Sequence, residues 1–364
     1  MEFWSLPGPS SFVGRIADAV RGGRSVIVRV PDHPEMELDS ALRSELEEWN
    51  WHTLQVGGNR APLDALYHRF LPSARPEDVR SVYTFAQSDT LRGAIIQLEG
   101  MTPTTWVAWR EFLLDYQDAC RTIPEMDRGV FLVVILAGVA RDAPVDEVAI
   151  STLDFRAHVG ELDLLPYVGY RLQHRNVHGP RRALMATAIA RLALWDIETA
   201  NRLLDAGFDT IMDPLEILRE IALRRGWDQL GEPGWASGSL DHVDGIERVH
   251  SAYAAVHDEQ GMVNQRLWSA QAAVLLPLIE ERRRDLIPKI RHLLKLPFDT
   301  GYERITDPWD LEIGHIAYQI RIRGGAKIRK EVDDLRRLRN KLSHLDVIPP
   351  DSAYMARLLG QQSR

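Results

Sequence analysis

Three long apolar runs constrain the fold of the first half of this chain more than any other feature. They are Ser25–Val30, Ala94–Glu99 and Val130–Ala137, and each is rich in valine, isoleucine or leucine. A strand with one solvated face alternates apolar and polar residues, whereas a nearly continuous run indicates a strand that is buried on both faces. Amphipathic segments separate the runs, so the first half is predicted to form a parallel sheet covered by helices.

Further elements extend this α/β pattern. Strands are also predicted at residues 52–56 and 148–155, and helices at residues 38–49, 62–71, 76–87 and 103–121. The longest apolar run, residues 130–140, is too short to cross a bilayer, so no membrane association is expected.

Helical periodicity replaces the strand pattern from about residue 162 onward. Helices are predicted at residues 181–206, 214–226, 246–257, 262–295, 311–322 and 328–345, and the glycine- and proline-rich segment 231–239 predicts a linker. The predicted fold class is therefore α/β followed by all-α. We expect an α/β domain at residues 1–160, a helical connector at 161–238 and a helical domain at 239–364.

Composition and charge exclude several classes of protein. The chain has 364 residues, 45% hydrophobic and 26% charged, which is typical of a globular protein. A net charge of -8 argues against general coating of nucleic acid, although residues 280–345 carry 16 Lys/Arg against 11 Asp/Glu. The single cysteine, Cys120, excludes an internal disulfide and is expected to be a buried, inert thiol. With no secretory signal at the start, these features predict a cytoplasmic protein.

Lysine is absent from the chain before Lys289. A phosphate-binding loop of the G-x-x-x-x-G-K-[ST] type needs a lysine that reaches the β- and γ-phosphates. The first half therefore lacks the residue on which this kind of nucleotide hydrolysis depends, and ATPase activity is not expected.

Glu99 is the one residue of the first half that suggests a nucleotide site. It ends the run Ala94–Glu99, as an acidic residue ends the strand that holds magnesium in a P-loop ATPase. The strand sequence over residues 1–160 resembles that of AAA-type and related P-loop ATPases, but residues 31–35 are acidic and proline-rich where Gly-Lys-Thr would stand. The resemblance implies a degenerate, non-hydrolysing P-loop-like domain with Glu99 as a nucleotide-binding residue. For the domain, the alternative is an unrelated doubly wound α/β domain. For Glu99, the alternative is a strand-end acid that caps the next helix.

The segment 335–345 combines an apolar stripe with a polar face. Four leucines, at positions 335, 338, 342 and 345, are spaced to form one side of a helix. Arg336, Asn340 and His344 follow each other at intervals of four on another side, and Arg339 lies nearer the leucines. This arrangement places a cation, an amide and an imidazole on one polar face.

Arg339, Asn340 and His344 resemble the motif of the HEPN superfamily of all-α domains, an arginine and a polar residue followed by a histidine. The resemblance implies a metal-independent ribonuclease that needs no cofactor and works as a dimer. His344 would serve in acid-base transfer, Arg339 would stabilise the phosphorane, and Asn340 would orient the substrate. Arg336 and Lys341 would contact the RNA backbone. A site shared by Arg339 and His344 requires a bent or terminating helix, or a partner chain.

The combination of the two domains resembles bacterial antiphage-defence proteins, in which a sensing or scaffold domain controls a HEPN effector. Three alternatives remain open. His344 can serve as a favourable residue at a helix C-terminus. The chain can be a non-enzymatic scaffold that binds a partner ATPase or nuclease of the same defence system, or a nucleotide-sensing switch. No metal site is predicted. His174 and His178 have a suitable spacing on a helix, but Asn176 and Gly179-Pro180 indicate a helix end, and Glu247, His250 and His257 lack further ligands.

Overall fold

The computed structural model describes residues 2–30, 37–57, 60–72, 80–124, 127–139, 150–155, 158–235, 237–243, 246–257 and 259–360. The chain divides into two compact units, and each is discontinuous in sequence. The first unit comprises Met1–Asp163 and Gly226–Tyr253, and the second comprises Leu164–Arg225 and Ala254–Arg364.

The helices and strands follow each other along the chain in this way. The helices are α1 (Pro7–Arg21), α2 (Leu38–Glu45), α3 (Pro62–Phe70), α4 (Val82–Ala86), α5 (Pro103–Thr122), α6 (Glu161–His174), α7 (Gly179–Ala193), α8 (Ile197–Ala206), α9 (Phe208–Met212), α10 (Leu215–Arg224), α11 (Ser251–Val256), α12 (Gln260–Ile290), α13 (Ile313–Ile320), α14 (Ala326–Ser343) and α15 (Ala353–Leu358). The strands are β1 (Ser25–Val30), β2 (Asn50–Gln55), β3 (Ala94–Glu99), β4 (Val130–Ala137), β5 (Ile150–Asp154), β6 (Leu240–Val243), β7 (Ile246–Val249), β8 (Phe298–Asp299) and β9 (Arg304–Ile305).

A five-stranded sheet organises the first unit. Its strands are all parallel and lie in the spatial order β2-β3-β4-β1-β5. In this register Val28 of β1 lies opposite Ile135 of β4 and Leu153 of β5. The three apolar runs form β1, β3 and β4 with the predicted bounds, so the prediction of a parallel α/β unit is confirmed. The order differs from both the Rossmann and the flavodoxin strand orders.

Both faces of the three central strands, β3, β4 and β1, are buried, as the apolar runs predicted. On one face Ile27 belongs to a buried cluster that includes Leu66 of α3 and Trp109 of α5. The alternate residues Val26 and Val28 are fully buried on the opposite face, and α1 packs against β1. Burial on two faces explains why these strands lack the alternation of a half-exposed sheet.

Three predictions lie partly or wholly outside the described residues. Within the predicted strand at residues 148–155, the structure describes residues 150–155, of which Ile150–Asp154 form β5. Within the predicted helix at residues 76–87, the structure describes the helical segment Val82–Ala86. The acidic, proline-rich segment 31–35, which carries the departure from the P-loop pattern, is outside the described residues.

The prediction of one helix over residues 181–206 is wrong. The helix α7 ends at Ala193, and Leu194 adopts a left-handed φ of 62°. Asp196 then begins α8, because its carboxylate accepts hydrogen bonds from the N–H groups of Glu198 and Thr199 at 3.0 and 3.3 Å. An aspartate that caps two amides favours a new helix start over continued helix at this point.

The prediction of a helix over residues 246–257 is also wrong in its first half. Residues 246–249 form β7, which pairs antiparallel with β6, and the helix α11 begins only at Ser251. Ile246 and Val249 are three residues apart, a spacing typical of one helix face, but the nearby strand Leu240–Val243 pairs with this segment instead. This hairpin belongs to the first unit. Of the segment 161–238, which was predicted as a connector, residues 161–163 and 226–238 lie in the first unit and residues 164–225 in the second.

The second unit is helical apart from the short ribbon of β8 and β9 among its described residues. Its centre is α12, a helix of 31 residues that contains Pro277 and Pro288 and packs against α7 and α14. The described part of the chain contains no helix whose length and hydropathy would suit a membrane span.

Candidate functional site

The leucine stripe of α14 packs into the second unit as predicted, except at its last member. Leu335, Leu338 and Leu342 are 5%, 2% and 1% exposed. Leu345 is 66% exposed, because α14 ends at Ser343 and Leu345 itself adopts a left-handed φ of 64°. The predicted stripe therefore ends with Leu342, one turn earlier than the leucine spacing indicates.

The opposite side of α14 carries the polar residues of the motif. Arg336, Asn340 and His344 are all exposed. Arg336 forms an ion pair with Asp333 at 3.4 Å, within its own helix. His344 is the C-cap residue that follows α14, and its backbone N–H donates to the carbonyl of Asn340 at 3.0 Å. No hydrogen bond of the His344 imidazole is found within the described residues, so its ring is open to solvent.

Lys341 lies beside these residues and is also exposed. Its carbonyl accepts the N–H groups of His344 and Asp346, at 3.1 and 3.0 Å. These bonds tie the residues after the helix to its last turn. The backbone of Lys341 thus shapes the end of α14, while its side chain remains available to an anion.

Two side chains of α12 hold the segment that carries His344. The indole N–H of Trp268 donates to the carbonyl of Leu342 at 2.7 Å. The amide of Gln271, which is fully buried, donates to the carbonyl of Ile348 at 2.8 Å and accepts its N–H at 2.7 Å. The chain is thereby fixed two residues before and four residues after His344, and the imidazole is positioned through the backbone.

Arg339 lies in a different environment from His344. It is half-buried, and its Nη2 atom is 3.2 Å from Oε2 of Glu312, at the start of α13. The two residues line a cleft of about 270 Å³ together with Glu280, Arg283 and Asp310. Three carboxylates and two guanidinium groups face this cleft, so Arg339 is already neutralised in part.

The structure of one chain does not bring Arg339 and His344 into one cleft. His344 is absent from the residues that line the Arg339 cleft in the described part of the chain. Five residues separate the two positions, or about 140° around a regular helix. The helix does end between them, at Ser343. The role of Asn340, His344 and Arg339 in a common site therefore stays a prediction.

Glu99 is engaged at the carboxyl end of β3. Its two carboxylate oxygens accept the side-chain amides of Gln55, at 2.5 Å, and of the buried Gln97. Gln55 ends β2 and lies opposite Glu99 in the register of the sheet. The contacts bind the ends of two neighbouring strands together, and the nucleotide-binding role of Glu99 stays a prediction.

Cys120 is buried, as predicted, with 4% of its surface exposed. Burial raises the pKa of its thiol, because the low-dielectric surroundings disfavour the thiolate. A group that resists ionisation is a poor nucleophile, so Cys120 has the properties of a core residue.

Sequence reasoning missed the residues that support the motif. Trp268 and Gln271 are three apart and share one side of α12, which is a signal of a common partner on the neighbouring helix. Glu312 carries no such signal, since it lies 27 residues before Arg339.

No group of three or more His, Cys, Asp or Glu residues is arranged to hold a metal ion among the described residues. A comparison of the chain with protein-family models and with curated proteins finds no match to either.

Proposed function

We propose that this protein is a metal-independent endoribonuclease of the HEPN type, active as a dimer. Its substrate is single-stranded RNA, its catalytic residues are His344 and Arg339, and Asn340 orients the substrate. The reaction breaks one phosphodiester bond of the strand and requires no bound cofactor.

One observation carries this proposal: the polar residues of the motif are not used to build the core. Asn340, Lys341 and His344 point into solvent from the helix whose leucines are buried on the other side. Trp268 and Gln271 nevertheless hold the backbone around His344 at 2.7–2.8 Å. An exposed imidazole on a rigid support fits a group that meets a substrate better than one that stabilises the fold.

The chemistry follows from the residue types. A neutral imidazole takes the proton of a ribose 2′-OH, the oxygen attacks the adjacent phosphorus, and the bond from phosphorus to the 5′-oxygen breaks. The leaving oxygen takes a proton from an imidazolium, so a dimer supplies both a base and an acid through its two His344 residues. Arg339 stabilises the charge on the phosphorane oxygens by forked hydrogen bonds. The products are a 2′,3′-cyclic phosphate and a 5′-hydroxyl end.

The test compares cleavage of single-stranded RNA by the wild-type protein and by His344→Ala in EDTA. Loss of a general acid-base group is expected to lower the rate by about 10²- to 10⁴-fold. His292→Ala is the matched control, since His292 is exposed in the same unit outside the motif. Equal cleavage by wild type and His344→Ala, or no cleavage by either folded protein, would overturn the proposal.

The mass in solution tests the dimer. One chain has a mass of 41.4 kDa, and we expect about twice that value by sedimentation. A strict monomer with full cleavage activity would show that one chain assembles the site alone.

The first unit would then regulate the nuclease as a non-hydrolysing, P-loop-like domain of a bacterial defence system. A parallel sheet whose order is neither Rossmann nor flavodoxin-like, in a region without lysine, supports this part of the proposal. ATP hydrolysis by the purified protein would contradict it.

A second function is favoured by the pairing of Arg339 with Glu312 at 3.2 Å. If this ion pair is structural, the chain is a scaffold or regulatory subunit for a partner ATPase or nuclease. Purification from the native host separates the two functions. A stoichiometric ATPase or nuclease partner, together with no cleavage by the chain alone, would favour the scaffold.

A further inference from the structure

A groove in the second unit lies between α14, α15 and the exposed side of α12. Its volume is about 640 Å³, within the range of ligand-binding clefts. Leu335 and Leu338, both nearly buried, form its floor. Lys327, Lys330 and Arg282, all exposed, stand at its rim.

The charges of this groove do not cancel. Asp334 pairs with Arg357, and Glu331 lies 3.8 Å from Arg282, so both acids of the lining are matched by guanidinium groups. No ion-pair partner of Lys327 or Lys330 is found in the described part of the chain. These two lysines therefore leave the groove with a net positive charge.

The position of Lys327 is unfavourable for the helix that bears it. Lys327 lies in the first turn of α14, which begins at Ala326 with no acidic residue in its first turn. The positive end of the helix dipole repels a cation in this turn, and the effect fades before Lys330 in the second turn. Lys327 therefore adds nothing to the stability of the helix start, and both lysines are available to an anionic ligand.

A row of basic side chains continues from the groove toward the motif. Lys330, Arg337, Lys341 and His344 lie with Lys327 on one side of α14, within about 100° of its circumference. From Lys327 to His344 the row extends about 26 Å along the helix axis. Arg337 donates to the hydroxyl of Tyr354 at 2.6 Å, which keeps this guanidinium beside the groove.

The geometry points to a binding track for single-stranded nucleic acid along α14, which begins in this groove and ends at His344. Lys327 and Lys330 bind backbone phosphates, and the half-buried Tyr354 and Leu358 of the lining receive the flat, apolar face of a base. The length of the row of basic side chains favours a strand over a free nucleotide, because a single nucleotide would fill the groove alone. This inference deepens the proposed function, since it gives the path by which the substrate reaches His344.

The experiment measures binding without cleavage. A fluorescein-labelled oligouridylate of about 20 nucleotides is titrated with the full chain carrying His344→Ala, in EDTA, and the anisotropy is followed between about 50 and 200 mM salt. Loss of two phosphate contacts is expected to reduce the slope of log K against log salt by about 1.4. Across this salt range, binding by the protein that retains both lysines then weakens about sevenfold more than binding by Lys327→Ala/Lys330→Ala.

The chain contains its own matched control. Lys289→Ala/Lys295→Ala removes two exposed lysines of the same unit that do not line the groove, and its slope is expected to equal that of the parent. An equal decrease of the salt slope in both double variants, or an unchanged slope in Lys327→Ala/Lys330→Ala, would overturn the binding track. Absence of RNA binding at low salt would overturn it as well.

Failure of the track and failure of the nuclease give different results. If the wild-type protein cleaves RNA and Lys327→Ala/Lys330→Ala cleaves equally well with the same salt slope, the binding track is disproved and the ribonuclease proposal is retained. If neither the wild-type protein nor any variant cleaves RNA but the salt slope of Lys327→Ala/Lys330→Ala decreases as expected, the ribonuclease proposal is disproved and the chain is a nucleic-acid-binding protein.

Discussion

Gln271 and Ile348 exchange two hydrogen bonds, although 77 residues separate them in sequence. Both residues are buried, and the side-chain amide of Gln271 satisfies the carbonyl and the N–H of Ile348 at 2.8 and 2.7 Å. The bonds join the middle of α12 to the segment that follows α14. His344 lies between the end of the helix and this attachment.

We expect Gln271→Ala to destabilise the second unit by about 2–4 kcal/mol, because two buried backbone groups lose their partner. Cleavage of RNA is expected to fall as well, since the segment with His344 loses its support. Urea denaturation and initial cleavage rates measure the two effects. Gln265→Ala, at an exposed position of the same helix, is the control and is expected to change stability by less than about 0.5 kcal/mol. A similarly small change in Gln271→Ala would contradict the attachment.

Glu312→Gln is expected to increase RNA cleavage. Glu312 competes with a phosphate for the guanidinium of Arg339, and an ion pair at 40% and 60% side-chain exposure is worth about 0.2–1 kcal/mol. Its removal should therefore raise kcat/KM by up to about fivefold, while stability falls by no more than about 1 kcal/mol. Steady-state cleavage at low salt is the measurement, with the exposed Glu303→Gln as control. A loss of activity as large as that of Arg339→Ala would indicate that the ion pair positions Arg339.

Adjacent arginines in the second unit should differ sharply in their effect on stability. Arg225 is 7% exposed and lies 2.6 Å from Asp196, which is 9% exposed. Arg224 pairs at 3.2 Å with Glu198, which Arg225 also contacts, at 2.7 Å, and the side chains of Arg224 and Glu198 are 50% and 44% exposed. Opposite charges hold the pKa of Arg225 above its ordinary value despite burial. Arg225→Ala leaves Asp196 buried without this cation and is expected to cost about 3–5 kcal/mol, against less than about 1 kcal/mol for Arg224→Ala. Equal unfolding free energies for the two variants would disprove this difference.

The stability of the first unit should decrease in mild acid through His158. Burial lowers the pKa of its imidazole, and Arg15, whose guanidinium is 3.4 Å from Nε2, lowers it further, while Asp154 opposes the shift. The folded state therefore binds a proton less readily than the unfolded chain, whose histidine pKa is about 6.5. The stabilising contribution is complete above about pH 6.5 and declines as the pH falls below that value.

Urea midpoints between about pH 5 and 7.5 measure this dependence. His158→Asn is expected to flatten the curve relative to wild type, and Arg15→Ala to reduce its slope in part. Parallel curves for wild type and His158→Asn would assign the pH dependence to other groups.

The sequence by itself determined three strands of the parallel sheet in the first unit and the buried side of α14. Ser25–Val30, Ala94–Glu99 and Val130–Ala137 are strands with the predicted bounds, because burial on two faces leaves a continuous apolar run in the chain. The leucines at 335, 338 and 342 are buried because a helix places residues at these intervals on one side. Both signals arise from neighbours in sequence.

Tertiary structure alone decided the surroundings of the motif. Glu312 reaches Arg339 across 27 residues, and Gln271 reaches Ile348 across 77, so no local pattern contains either partner. The β6-β7 hairpin was missed for a related reason: the spacing of Ile246 and Val249 suits a helix, and only pairing with Leu240–Val243 selects the strand. The periodicity of a chain reports which face of each element is buried, whereas the packing of distant elements determines which polar groups meet.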